Sequence, residues 1–100
     1  MSTTVLDTTG GTTVTGDTYL TQVSKDLDST RHVQVVLSSG DTVVVEGGVD
    51  STTGNFVTLA TFTASDLVTI DLPPYWRAKR TVDGGVGEAL VYVSGTVRTA

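Results

Sequence analysis

The stretch from Asp41 to Thr81 most constrains the fold. It reads Asp41-Thr-Val-Val-Val-Glu-Gly, then Val49-Asp-Ser-Thr-Thr-Gly-Asn55, then Phe56-Val-Thr-Leu-Ala-Thr-Phe62. After Thr63-Ala-Ser-Asp66 come Leu67-Val-Thr-Ile-Asp-Leu72, the breaker Pro73-Pro74, and Tyr75-Trp-Arg-Ala-Lys-Arg-Thr81. Every run is strand-length, rich in β-branched or aromatic residues, and bounded by turn formers. The stretch reads as an antiparallel meander, with the rest of the chain completing its sheets. Pro73-Pro74 has no place in a central ladder and predicts a crossing between sheets.

Flanking segments repeat the pattern. Arg31 to Ser38 predicts a strand with Val33, Val35 and Leu37 on one face, followed by a Ser39-Gly40-Asp41 turn and an antiparallel return. Val68, Ile70 and Leu72 form the cleaner core face of their run. Trp76 and Ala78 share a face opposite Tyr75, Arg77, Lys79 and Thr81. Asp83 to Gly87 reads as a hairpin loop, and Glu88 to Val93 as the closing strand. Asp17 to Asp28 fits a strand through Tyr19, Thr21 and Val23, although Leu20, Val23 and Leu27 also fit a short helix. Residues 1–16 are Thr- and Gly-rich and read as a flexible N-terminal arm or edge strand, and residues 17–100 as one domain. About seven or eight strands imply an all-β antiparallel β-sandwich of jelly-roll or immunoglobulin-like type, with a closed barrel second.

Composition narrows function. Cysteine is absent, which excludes a disulfide framework and cysteine-based metal sites. The start Met1-Ser-Thr-Thr lacks a basic region followed by an apolar run, so no signal peptide is expected. No apolar run approaches the roughly 20 residues of a spanning helix, so no membrane partner is expected. A net charge of −5 disfavours direct nucleic-acid binding, which rests on Lys and Arg against phosphates.

No stretch assembles a catalytic constellation, and neither cofactor nor metal is expected. The lone His32 lies in a strand pattern beside Arg31 and reads as a surface or edge residue. Asp50 to Asn55 offers oxygen ligands without the alternating acids of a calcium loop, and reads as a self-capping turn. Gly84 to Gly87 joins strands instead of opening a helix, unlike a phosphate loop. No pair of acids stands out for hydrolysis. The chain reads as non-enzymatic.

The informative cluster is Tyr75 and Trp76 with Arg77, Lys79 and Arg80, which hold three of the six basic residues. It reads as a positive, aromatic docking patch. The structural alternative pairs these cations with Glu88 and neighbouring acids and puts Trp76 in the core. Thr3, Thr4, Val5 and Leu6 are the arm's candidate contacts.

The run from Val43 to Arg80 also resembles small β-sandwich structural proteins of tailed bacteriophages. Val45-Glu46-Gly47, Asn55-Phe56, Leu59-Ala60-Thr61, Pro73, Arg77-Ala78 and Val91-Tyr92-Val93 carry the likeness, over about half the chain. The resemblance implies a virion component made in the host cytoplasm, such as a capsid decoration (cement) protein. The implied partners are the major capsid protein or other virion proteins, and the implied state is a homo-oligomer, a trimer first. The other implied role is a head-fibre or tail accessory module that binds glycans or a host surface. That role expects Trp76 to be exposed.

Overall fold

Strand pairing shows how the chain is wound. The computed structural model describes residues 2–9, 14–20, 30–38, 40–82, 88–95 and 97–99. The strands are β1 (Ser2–Thr9), β2 (Val14–Thr15), β3 (Tyr19–Leu20), β4 (Thr30–Leu37), β5 (Thr42–Gly48), β6 (Val57–Phe62), β7 (Asp66–Asp71), β8 (Tyr75–Val82), β9 (Glu88–Ser94) and β10 (Arg98–Thr99). A 3-10 turn, Thr53–Asn55, precedes β6.

One sheet has the order β1-β9-β4-β7. The other has the order β10-β3-β8-β5-β6, with β2 also against β8. The partners are therefore β1 with β9, β2 and β3 with β8, β4 with β7, and β5 with β6, all antiparallel. This is one long ribbon, folded back at the β5–β6 hairpin and rolled into two sheets. With β2 and β3 as one interrupted strand, the topology is a jelly roll. The expected all-β sandwich is thus observed, in the first of its two expected forms.

The meander reading is corrected. β5 and β6 pair, but β6 and β7 lie in different sheets, as do β7 and β8. The return of β5 against β4 is corrected likewise, because β4 pairs with β7 and β9. Alternation fixes which face of a strand is buried, not which strand lies beside it. Each short turn here steps across the core to the opposite sheet. The Asp83 to Gly87 loop lies outside the described residues, yet the strands it joins fall in opposite sheets and are no hairpin. Pro73-Pro74 does mark a crossing, from β7 in one sheet to β8 in the other.

The N-terminal segment is also corrected. Ser2–Thr9 is an edge strand, the second of the two expected forms, and not a flexible arm. It pairs along its length with β9, and its register shifts between Thr4 and Leu6. At that bulge Val5 and Leu6 both enter the core, although neighbours in a regular strand face opposite ways. In the ambiguous 17–28 segment, Tyr19–Leu20 is a strand, and residues 21–29 lie outside the described residues.

The core lies between the sheets. Val33, Val35, Ala89, Val91 and Val93 come from one sheet, and Val43, Val45, Trp76 and Ala78 from the other. Full burial of each Val or Leu contributes about 1.5–3 kcal/mol. Trp76 is fully buried and stacks on Tyr19, with ring centroids 5.3 Å apart and planes at 27°. Gly47 pairs with Trp76 across the sheet. A Cβ on Gly47 would sit 2.5 Å from the Tyr75 carbonyl oxygen and 2.6 Å from Pro73 Cγ. Only glycine lets the sheet-crossing turn close this tightly over the indole.

Candidate functional site: the outer face of strands five and eight

The alternation of β8 divides its side chains between two environments. Trp76, Ala78 and Arg80 are buried, while Tyr75, Arg77 and Lys79 are partly exposed on the outer face. The facing residues of β5 obey the same parity. Val44 pairs with Lys79, Glu46 with Arg77 and Gly48 with Tyr75.

Glu46 organises this face. Arg77 Nε donates to Glu46 Oε1 at 2.6 Å, and Lys79 Nζ lies 3.3 Å from Oε2. The Glu46 side chain is only 9% exposed, against 20% for Arg77 and 30% for Lys79. The two cations therefore shield the carboxylate from water. Charge-assisted bonds in such half-buried settings are stronger than exposed ion pairs. The Arg77 guanidinium also lies over the Phe56 ring, 5.6 Å from its centroid. Phe56 closes over Gly48, where a Cβ would meet its ring at 3.2 Å. The result is a row of Tyr75, Phe56, Arg77 and Lys79 on one face, in which Glu46 and Phe56 hold Arg77 and two cations share one carboxylate. The local excess is positive on a chain of net charge −5.

The structure brings together Tyr75, Arg77 and Lys79, as the sequence suggested. Arg80 is corrected. It points into the core, where its NH1 lies 3.6 Å from Asp41 Oδ2 with both side chains fully buried. It is a buried structural cation, out of reach of a docking protein. Trp76 likewise belongs to the core and not to a recognition surface.

The N-terminal candidates lie in the other sheet, away from this row. Val5 and Leu6 are core residues, which withdraws them as partner contacts. Thr3 is half-buried and donates from Oγ1 to the Gly95 carbonyl at 3.0 Å. Thr4 is the exposed one of the four.

Sequence reasoning missed Glu46 and Phe56. A lone acid two residues after Val44, in a strand ending in Gly47-Gly48, was the available signal. It had to be placed opposite Arg77 in register, and register is not local information. Glu46 is the acid beside Arg77 and Lys79; the expected Glu88 belongs to β9 in the other sheet, and its side chain lies outside the described residues.

His32 is exposed, as expected of a surface histidine, and its Nδ1 lies 3.1 Å from Thr69 Oγ1 on the paired strand. Asp50 caps its own turn, its Oδ1 accepting from the Thr52 N–H at 2.8 Å. Among the described residues no group of three or more His, Cys, Asp or Glu side chains is placed to hold a metal ion. No described helix is long and apolar enough to cross a membrane. The chain matches no family model, no curated protein and no solved structure.

Proposed function

We propose that the protein is a non-enzymatic structural component of a tailed-bacteriophage virion, a capsid decoration (cement) protein that binds and stabilises the head shell. The observation that carries this reading is the Tyr75–Phe56–Arg77–Lys79 row on the outer face of an otherwise acidic jelly roll. Arg and Tyr are typical interface anchors, and Arg77 is held by Glu46 before a partner arrives, which lowers the entropy lost on docking. Its excess positive charge suits an acidic surface of the major capsid protein or another virion protein. The fold adds weight by analogy, since jelly rolls serve in viral capsids among many other roles. The sequence likeness over Val43 to Val93 points the same way.

In this reading the chain is made in the host cytoplasm and acts in the virion as a homo-oligomer, a trimer first. Many copies on one shell give avidity, so each contact needs only modest affinity. It has no direct nucleic-acid or membrane partner and needs no cofactor. The test is co-sedimentation of the purified protein with heads of the phage that encodes it. Saturable binding is expected, weakened about tenfold or more by Lys79→Glu in a protein that keeps its native circular dichroism. Absence of binding to heads at micromolar concentration overturns the reading.

The second reading, a head-fibre or tail accessory module for glycans or a host surface, draws on the partly exposed Tyr75 and Phe56. It loses Trp76, its strongest aromatic candidate, to the core. Glycan-array binding abolished by Tyr75→Ala would favour it.

A further inference from the structure

The two long sides of the sandwich differ. On one side Gly16 closes the gap between sheets. Its N–H donates to the Ala78 carbonyl at 2.8 Å, and a Cβ there would lie 2.9 Å from the Val5 carbonyl oxygen. On the other side run β6 and β7, each the last strand of its sheet. They are joined through Thr63–Ser65 and separated by an open groove of about 610 Å³. That volume falls within the roughly 300–1,000 Å³ of concave binding sites. Leu59, Ala60, Val68 and Ile70 line it and are only partly buried, with the buried Phe62 deeper in. Among the described residues no strand pairs with the far edge of β6 or β7.

The two edges are unequal templates. The register of β6 against β5 is interrupted by a shift between Val45 and Glu46, and bulges of this kind blunt an edge. β7 runs in unbroken register with β4 from Asp66 to Asp71. About half of an edge strand's amides and carbonyls point away from its neighbour and are open to a new strand. The ionisable groups of the groove, among the described residues, are Asp66 and Asp71, at the two ends of β7. Both are exposed. The acidic end at Asp66, to which Asp71 adds although it already has a contact within the chain, opposes pairing with another acidic strand and favours a basic one.

We propose that the β7 edge and the groove beside it dock an extended segment of a partner protein by strand addition. That segment carries alternating apolar side chains that enter the groove over Val68 and Ile70, with Lys or Arg at its ends beside Asp66 and Asp71. Backbone pairing supplies affinity, and the groove and its carboxylates supply selection. The inference uses a different part of the molecule from the outer row and stands independently of the capsid reading.

The test uses the full chain and a blocked synthetic peptide of alternating valine and threonine with lysine at each end. Its counterpart carries glutamate at each end. The lysine peptide is expected to slow deuterium exchange at amides within Asp66–Asp71. It is also expected to bind at least tenfold more tightly than the glutamate peptide at low salt. Asp66→Asn, an exposed and structurally mild change, should weaken it about threefold. Three results overturn the proposal: no protection of β7, protection of β1 in its place, or equal affinity for the two peptides. Self-association of the chain through β7, seen as protection of these amides on concentration without peptide, would assign the edge to a second copy and overturn it too.

Discussion

Arg80 and Asp41 form an ion pair inside the sandwich, 3.6 Å apart and with no side-chain exposure. The pair joins the middle of β8 to the turn that delivers the chain into β5, closed by the Asp41 N–H donating to the Ser38 carbonyl at 3.2 Å. Removing one partner of a buried ion pair costs about 3–5 kcal/mol. Asp41→Ala should therefore lower unfolding free energy by about that much in urea titrations. Asp41→Leu combined with Arg80→Met should recover most of the loss, because well-packed apolar replacements of buried pairs are often neutral.

Gly47 faces a different constraint. Gly47→Ala brings a methyl group against the Tyr75 carbonyl and Pro73. Both are backbone or ring atoms with little freedom to yield, and overpacking of this kind costs about 1–3 kcal/mol. The accompanying shift of the turn should alter Trp76 fluorescence, which in the wild type is expected to be blue-shifted and resistant to quenchers.

β1 is part of the fold, so its deletion should not behave as the loss of a tail. Leu6→Ala should cost about 2–4 kcal/mol, by lost burial and the cavity left behind. Deleting residues 1–9 exposes the long edge of β9 and should give an unfolded or aggregated chain. A truncated protein with native circular dichroism and an unchanged urea midpoint would contradict the placement of Val5 and Leu6.

Tyr19 supplies a pH dependence. Burial, and then the nearby Asp17 carboxylate, raise its hydroxyl above the ordinary value of 10.0. The folded chain therefore holds this proton to higher pH than the unfolded chain does. The associated stability is fully present below about pH 10 and is lost as pH rises through the folded value. Tyr19→Phe keeps the stacking on Trp76 and removes the ionisation. Its stability should fall less between pH 9 and 12 than that of the wild type, measured by urea midpoints at each pH.

The burial pattern was legible in the sequence where strands are regular. Val33 with Val35, Val68 with Ile70 and Leu72, Trp76 with Ala78, and Val91 with Val93 all follow a period of two. It was illegible at Val5-Leu6, where a bulge breaks the alternation. Strand neighbours were also hidden, because a turn such as Thr63–Ser65 joins two edges across the core as readily as two strands in one sheet. The outer row was half legible. Tyr75, Arg77 and Lys79 share parity on one strand, so their grouping is local. Glu46 joins them only through the register of β5 against β8, and Phe56 only through the return of the β5–β6 connection over Gly48. Arg80 follows the parity of Trp76 and Ala78 inward, and that parity was a better guide than its charge.

The most direct test of the account is hydroxyl-radical footprinting of the protein bound to phage heads, compared with the free protein. The reading predicts protection of Phe56, Tyr75 and the neighbouring β5 and β8 side chains. Leu67, 63% exposed on the opposite sheet, should stay as reactive as in the free protein. Protection centred on Leu67, with Phe56 and Tyr75 unchanged, would contradict the assignment of the docking face.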